Sequence, residues 1–265
     1  MVTHERESAT DRRAHGHAGS CRARALGRGP AIAAAAIALT VLAAGCAPRP
    51  AERPVQPPPQ PAAGGTAQVP VIPAGARAFE IDAGKSVVTI LVNRAGPFAK
   101  FAHNHVVTSG QETGIVWEGR DPAGSGFEIR VPVASLVVDD PAARAATGGE
   151  FAGEVPESAR EGTYRNMTRP EVLDAADFPE VIVHCDGMIG TWDRPVAAAD
   201  LTIRGVTRRV EIPIQLERTA SSLMARGSFR VRQSDFGITP FSAAGGAIQV
   251  GDELDLSFEI VAVAR

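Results

Sequence analysis

Cysteine is scarce, with three in 265 residues: Cys21, Cys46 and Cys185. The first two fall within the first 75 or so residues, which do not read as foldable. Cys185 is thus left without a partner, and the folded part must be held by its core rather than by a disulfide. No apolar run approaches the roughly 20 residues of a spanning helix. Excess positive charge is missing as well: the chain carries a formal net charge of −3. Nucleic-acid binding, which needs phosphate-neutralising Lys and Arg, has no support. Familiar catalytic patterns are absent too. There is no Gly-x-Ser-x-Gly elbow, and neither a helical His-Glu pair nor a cysteine-rich metal spacing. Ala244-Gly245-Gly246 precedes a strand pattern, so it reads as a loop and not as a phosphate cradle. Asp139-Asp140 reads as a strand terminus and not as a paired acid–base site. No active site emerges, and an enzyme is the least favoured class.

What is present begins with an N-terminal export pattern. Residues 1–30 contain six Arg, three acids and no Lys, and residues 31–45 (AIAAAAIALTVLAAG) form an uncharged apolar run of 15. That length suits the h-region of a secretory signal, here residues 1–45, although the basic stretch ahead of it is long for one. The run ends in Leu42-Ala43-Ala44-Gly45-Cys46. Small residues before a cysteine resemble the lipobox of bacterial lipoproteins, which implies lipidation of Cys46 and a membrane tether rather than a span. Ala43 stands where Leu is commoner, and plain signal cleavage with Cys46 unmodified is the alternative. The expected location is exported, on the periplasmic or cell-surface side. Removing residues 1–45 takes away six Arg and three acids, so the −3 of the whole chain becomes −6. Residues 46–76 are rich in Pro and Ala. They read as an extended linker reaching up to roughly 90 Å at about 3.1 Å per residue.

Residues 77–265 read as one folded domain. Its clearest stretch is residues 200–217, where Leu201 and Ile203 alternate with Thr202 and Arg204. After Gly205 the alternation resumes as Val210, Ile212, Ile214 and Leu216 against Glu211, Pro213, Gln215 and Glu217. Two such two-faced strands joined at a glycine predict a hairpin. Residues 86–92, 114–117, 127–133, 181–185, 223–231 and 254–260 repeat the strand pattern, with Pro132 arguing for an edge or a bulge, and residues 98–108 are ambiguous at first, then strand-like through Val106 and Val107. Residues 141–176 lack it, and short helices are expected near 141–146 and 169–176. About eight antiparallel strands with little helix predict an all-β fold whose apolar faces bury against one another. Both a sandwich and a closed barrel satisfy that.

Four segments, in order, carry a family resemblance: Asp177-Phe178-Pro179-Glu180-Val181, Leu201-Thr202-Ile203-Arg204-Gly205-Val206-Thr207, Ser234-Asp235-Phe236-Gly237-Ile238 and Val250-Gly251-Asp252-Glu253-Leu254. They resemble the YceI-like, polyisoprenoid-binding family across roughly residues 79–263. The resemblance implies an eight-stranded antiparallel lipocalin-like barrel with a short helical insert. It also implies an apolar pore holding an isoprenoid, a quinone or a similar amphiphile, with no cofactor beyond such a ligand. Arg209 stands where that family commonly has Pro, and His103-Asn104-His105 is unlike its best-known members. These histidines and the 141–176 insert are where ligand identity is least transferable.

The candidate pore residues are Phe98, Phe101, His103, His105, Phe127, Phe229, Phe236, Phe241 and Phe258. His103 and His105, at i and i+2 of a strand, point to one face. Ligand-headgroup contact, plain packing, or a metal site completed by His184 are the three readings for that pair. Cys185 reads as a buried, inert thiol. A filled barrel acting as a protein-interaction or stress-response module is a further alternative, and a homodimer is left open.

Overall fold

A computed structural model describes residues 70–265. The expected signal (1–45), the lipidation site Cys46 and residues 46–69 of the expected linker (46–76) lie outside the described residues. Among the described residues, thirteen strands join one sheet. In chain order they are β1 (Arg77–Ile81), β2 (Val87–Ala95), β3 (His105–Ser109), β4 (Thr113–Glu118), β5 (Gly126–Pro132), β6 (Val137–Val138), β7 (Glu180–Cys185), β8 (Met188–Thr191), β9 (Arg194–Ile203), β10 (Val206–Arg218), β11 (Ser222–Arg232), β12 (Ser242–Ala243) and β13 (Ile248–Ala264). Among the described residues two α-helices, α1 (Pro141–Thr147) and α2 (Glu157–Met167), interrupt the series. Among the described residues no helix is long and apolar enough to cross a membrane.

Eight strands close a ring in the order β1-β4-β5-β7-β9-β10-β11-β13, with β13 pairing back onto β1. Every pairing is antiparallel. The fold is therefore an all-β barrel with two helices. The 17-residue β13 makes closure possible. It runs along β11 on one edge, while β1 and then β2 share the other. Closure also pairs the edge groups that an open antiparallel sheet would leave exposed. β3 and β6 extend the wall beyond β2. A core cluster drawn from β3, β5 and β6, with Tyr164 and Met167 of α2 packed on it, fills the space towards β7.

The hairpin predicted over residues 200–217 is β9 and β10. Their turn places Arg204 at φ 50° and Gly205 at φ 71°. Positive φ at both central residues is the type I′ geometry, whose twist matches that of the flanking strands. Gly205 is needed for a second reason, because a Cβ there would stand 2.6 Å from Cε1 of Phe178. The 201–207 and 177–181 segments thus lock together, ring on glycine. The other two segments are joined as well: Ser234 donates through N–H and Oγ to the Asp252 carboxylate, at 2.8 and 2.6 Å.

Several expectations need correcting. The second helix lies at 157–167, not 169–176. Residues 169–178 instead form consecutive turns around Asp174, which sits at φ 50° and whose carbonyl accepts from the Phe178 N–H at 2.8 Å. β9 begins at Arg194 rather than near Leu201, because Ala197, Ala198 and Ala199 are all buried and leave no alternation to read. Pro132 marks neither an edge nor a bulge. It is the last residue of β5, facing Glu180 of β7, while the β4 pairing stops at Arg130 and leaves no β4 partner opposite it.

Candidate functional site: an apolar cavity with a histidine at its wall

Alternation carries every second side chain of the barrel strands inward, and these side chains do not meet at the axis. A cavity of about 370 Å³ remains. Its wall is hydrocarbon along most of its length: Val88, Ile90 and Val92 from β2, Val181 and Val183 from β7, and Ile212, Ile214 and Leu216 from β10. The wall also includes the ion-paired Glu118 and Arg218. Glu118, 7% exposed, receives Arg77 and Arg218 on separate oxygens, the Arg218 bond being 2.7 Å. The Arg218 guanidinium also stacks 4.1 Å from the Trp192 ring centroid. This ties β1, β4 and β10 together.

The wall also carries His103 and His105, on and just before β3. Asn104 between them points away and is 2% exposed. Its Oδ1 accepts the Arg94 N–H at 3.0 Å, and its Nδ2 donates to Glu150 at 3.4 Å. Behind His105 stands Asp139, whose Oδ2 is 2.6 Å from Nδ1. The other carboxylate oxygen accepts the Val106 N–H at 2.9 Å and Arg144 Nη1 at 2.5 Å. Arg144, in α1, is 4% exposed and also donates to the carbonyls of Asn104 and Gly153, each at 2.7 Å. Burial by itself would raise the Asp139 carboxyl. The bonds from His105, Val106 and Arg144 outweigh that and hold it below the ordinary carboxylate range. Asp139 adopts φ 54°, a conformation that Asp tolerates better than most residues.

The signature of the YceI-like domain matches residues 79–262. The chain belongs to the YceI-like family. Among solved structures, Burkholderia cenocepacia BcnA is similar at 15% identity and TM-score 0.49, covering 68% of this chain and 98% of its own. A polyisoprenoid binding domain from Saccharophagus degradans, implicated in plant cell wall breakdown, is similar at 11% identity and TM-score 0.48, covering 71% and 99%. The YceI protein of Campylobacter jejuni follows at 12% identity and TM-score 0.42, covering 60% and 84%. No curated protein matches the chain.

Within this YceI-like barrel, the cavity wall includes Phe127, Phe229, Phe236, Phe241 and Phe258. Phe258 fits because its partner across the sheet is Gly227, where a Cβ would stand 2.7 Å from the ring tip. Phe98 and Phe101 are not part of the wall. They stand 52% and 68% exposed, edge to face at 6.2 Å, with Lys100 5.0 Å from the Phe101 ring centroid. Residues 99–101 form a single 3₁₀ turn, which breaks the period-two parity that would have aligned Phe101 with His103.

His184 is not brought to the other two histidines. On β7 the inward residues are Val181 and Val183, so His184 faces outward. There it pairs with Asp186 at 2.9 Å and approaches Glu128 at 3.5 Å. Among the described residues no group of three His, Cys, Asp or Glu stands where it could hold a metal ion. Cys185 is fully buried, burial pushes its thiol up, and its Sγ donates to the Gly187 carbonyl at 3.2 Å. Sequence reasoning missed Asp139 and Arg144 as parts of the site. The N-cap and N1 signals of Asp140-Pro141 were readable, whereas nothing in an Ala-rich helix announces a buried arginine three residues further on.

Proposed function

We infer that this YceI-like barrel is a binding module for an apolar-chain amphiphile, such as an isoprenoid or a quinone, and works by sequestration rather than catalysis. The observation that carries this reading is the hydrocarbon-walled cavity of about 370 Å³ inside a closed barrel. Its size falls in the range of ligand pockets, roughly 300–1,000 Å³. Each Å² of chain buried there contributes about 25 cal/mol, and the few polar groups on the wall suit the head of such a molecule. Native mass spectrometry of the gently purified protein tests it. Co-purified or added isoprenoid should appear as a defined mass increment; protein that stays empty with every added isoprenoid, quinone or fatty acid would sink the reading.

The export pattern of residues 1–45 and the residues ahead of Cys46 support an extracytoplasmic, lipid-tethered location. The linker would then let the barrel stand away from the membrane. Metabolic labelling with an alkynyl fatty acid in a bacterial host checks the tether. Label should enter the wild type and be lost in Cys46→Ser. An unlabelled wild type would remove the anchor while leaving the binding reading intact.

A further inference from the structure

The placement of His105 decides which of its nitrogens a ligand can meet. Its Nδ1 lies 2.6 Å from Asp139 Oδ2, and Asp139 is fully buried and forms no part of the cavity wall. The other partners of that carboxylate, the Val106 N–H at 2.9 Å and Arg144 at 2.5 Å, are both donors. An ionised carboxylate only accepts, so the short bond to the ring requires the proton on Nδ1. Arg144 also binds Asp139 directly, through Oδ1. A neutral ring protonated on Nδ1 has a bare, accepting Nε2. Because the Nδ1 edge is turned towards Asp139, the edge that His105 contributes to the cavity wall is the one carrying Nε2.

We propose that His105 Nε2 is the headgroup acceptor of this cavity. It would select amphiphiles whose apolar chain ends in a hydroxyl, such as a prenol or a hydroquinone, over those ending in an ether or in bare hydrocarbon. This rests on the amphiphile-binding reading above. A hydroxyl donates to Nε2 and satisfies it, whereas an ether oxygen offers only lone pairs and leaves the nitrogen unpaired beside hydrocarbon. His105 touches the ligand. Asp139 and Arg144 are positioning residues, which set the tautomer and hold the ring.

The test uses the full chain at pH 8 with two probes of nearly equal length, geranylgeraniol and its methyl ether, in competition read by native mass spectrometry. Wild type should favour the alcohol by about 10-fold, the size expected for one net hydrogen bond. His105→Leu should lose the preference for the alcohol over the ether, with His105→Phe as the second variant if Leu does not fold. Asp139→Asn should also lose it, and long-range ¹H–¹⁵N spectra of His105 should then report a changed tautomer, which a purely structural role would not produce. Equal binding of alcohol and ether by the wild type, or a preference that survives in the His105 variant, would overturn the proposal and spare the amphiphile reading. Failure to bind either probe, or any other isoprenoid, would overturn both.

Discussion

Asp139 shows how much a single side chain can hold. It is fully buried, it carries a charge, and its partners come from β3 and α1. Removing it leaves the Arg144 guanidinium charged and 4% exposed, without a carboxylate. Breaking a buried pair in this way typically costs about 3–5 kcal/mol. Asp139→Ala should show that loss at pH 7 as a lower urea midpoint. The pH dependence has a definite sign. Because the folded carboxyl titrates below its ordinary value of 3.8, its contribution is complete above that value and disappears as the pH falls through the folded one. Wild type should therefore lose this share of its stability below about pH 4, while Asp139→Ala, with nothing to protonate there, should have a flatter acid limb. Urea midpoints measured across that window check it, and parallel acid limbs would contradict it.

At the scale of elements, the β9–β10 turn is the clearest joint. Arg204 and Gly205 both take positive φ, and Phe178 packs where a Gly205 side chain would stand. Gly205→Val faces both obstacles and is expected to destabilise by about 1–3 kcal/mol. Arg204→Asn keeps the turn and relieves the left-handed strain, since Asn visits that region more readily, so its thermal midpoint should match or exceed the wild type. Calorimetry of the pair separates the effects, and a Gly205→Val midpoint equal to wild type would remove the proposed joint. The turn was readable because its glycine interrupts two long alternations. α2 was not: of its eleven residues only a few, among them Thr163, Tyr164, Asn166 and Met167, meet the cavity or the core. So narrow a stripe in a polar segment is drowned by its surroundings.

For the whole molecule the decisive quantity is the unfilled volume along the axis. Ala225 of β11 lines it. Ala225→Trp places an indole in that space and should abolish isoprenoid uptake in native mass spectra while leaving the far-ultraviolet circular dichroism of the barrel unchanged. If the larger side chain strains the wall, Ala225→Leu is expected to lower uptake in part. Uptake undiminished in both variants would mean that the chain binds elsewhere. The ion-paired Glu118 and Arg218 and the two histidines His103 and His105 make the wall chemically uneven, so a bound amphiphile should favour one orientation.

Period-two alternation and turn residues determined the all-β class and most of the strands of this protein. They act locally, between neighbours on one strand, and so survive in the linear order of residues. The resemblance of four short segments then favoured a barrel over a sandwich, which alternation by itself left open. Which inward side chains would fill the interior, and which would leave a cavity, depended on the closing register of β13 with β1 and β2, a relation among residues more than 150 positions apart. The same holds for His105. Its strand and face could be read from its own segment, but the carboxylate that orients it directly follows β6 and the arginine behind that carboxylate sits in α1, and only tertiary packing brings the two to it.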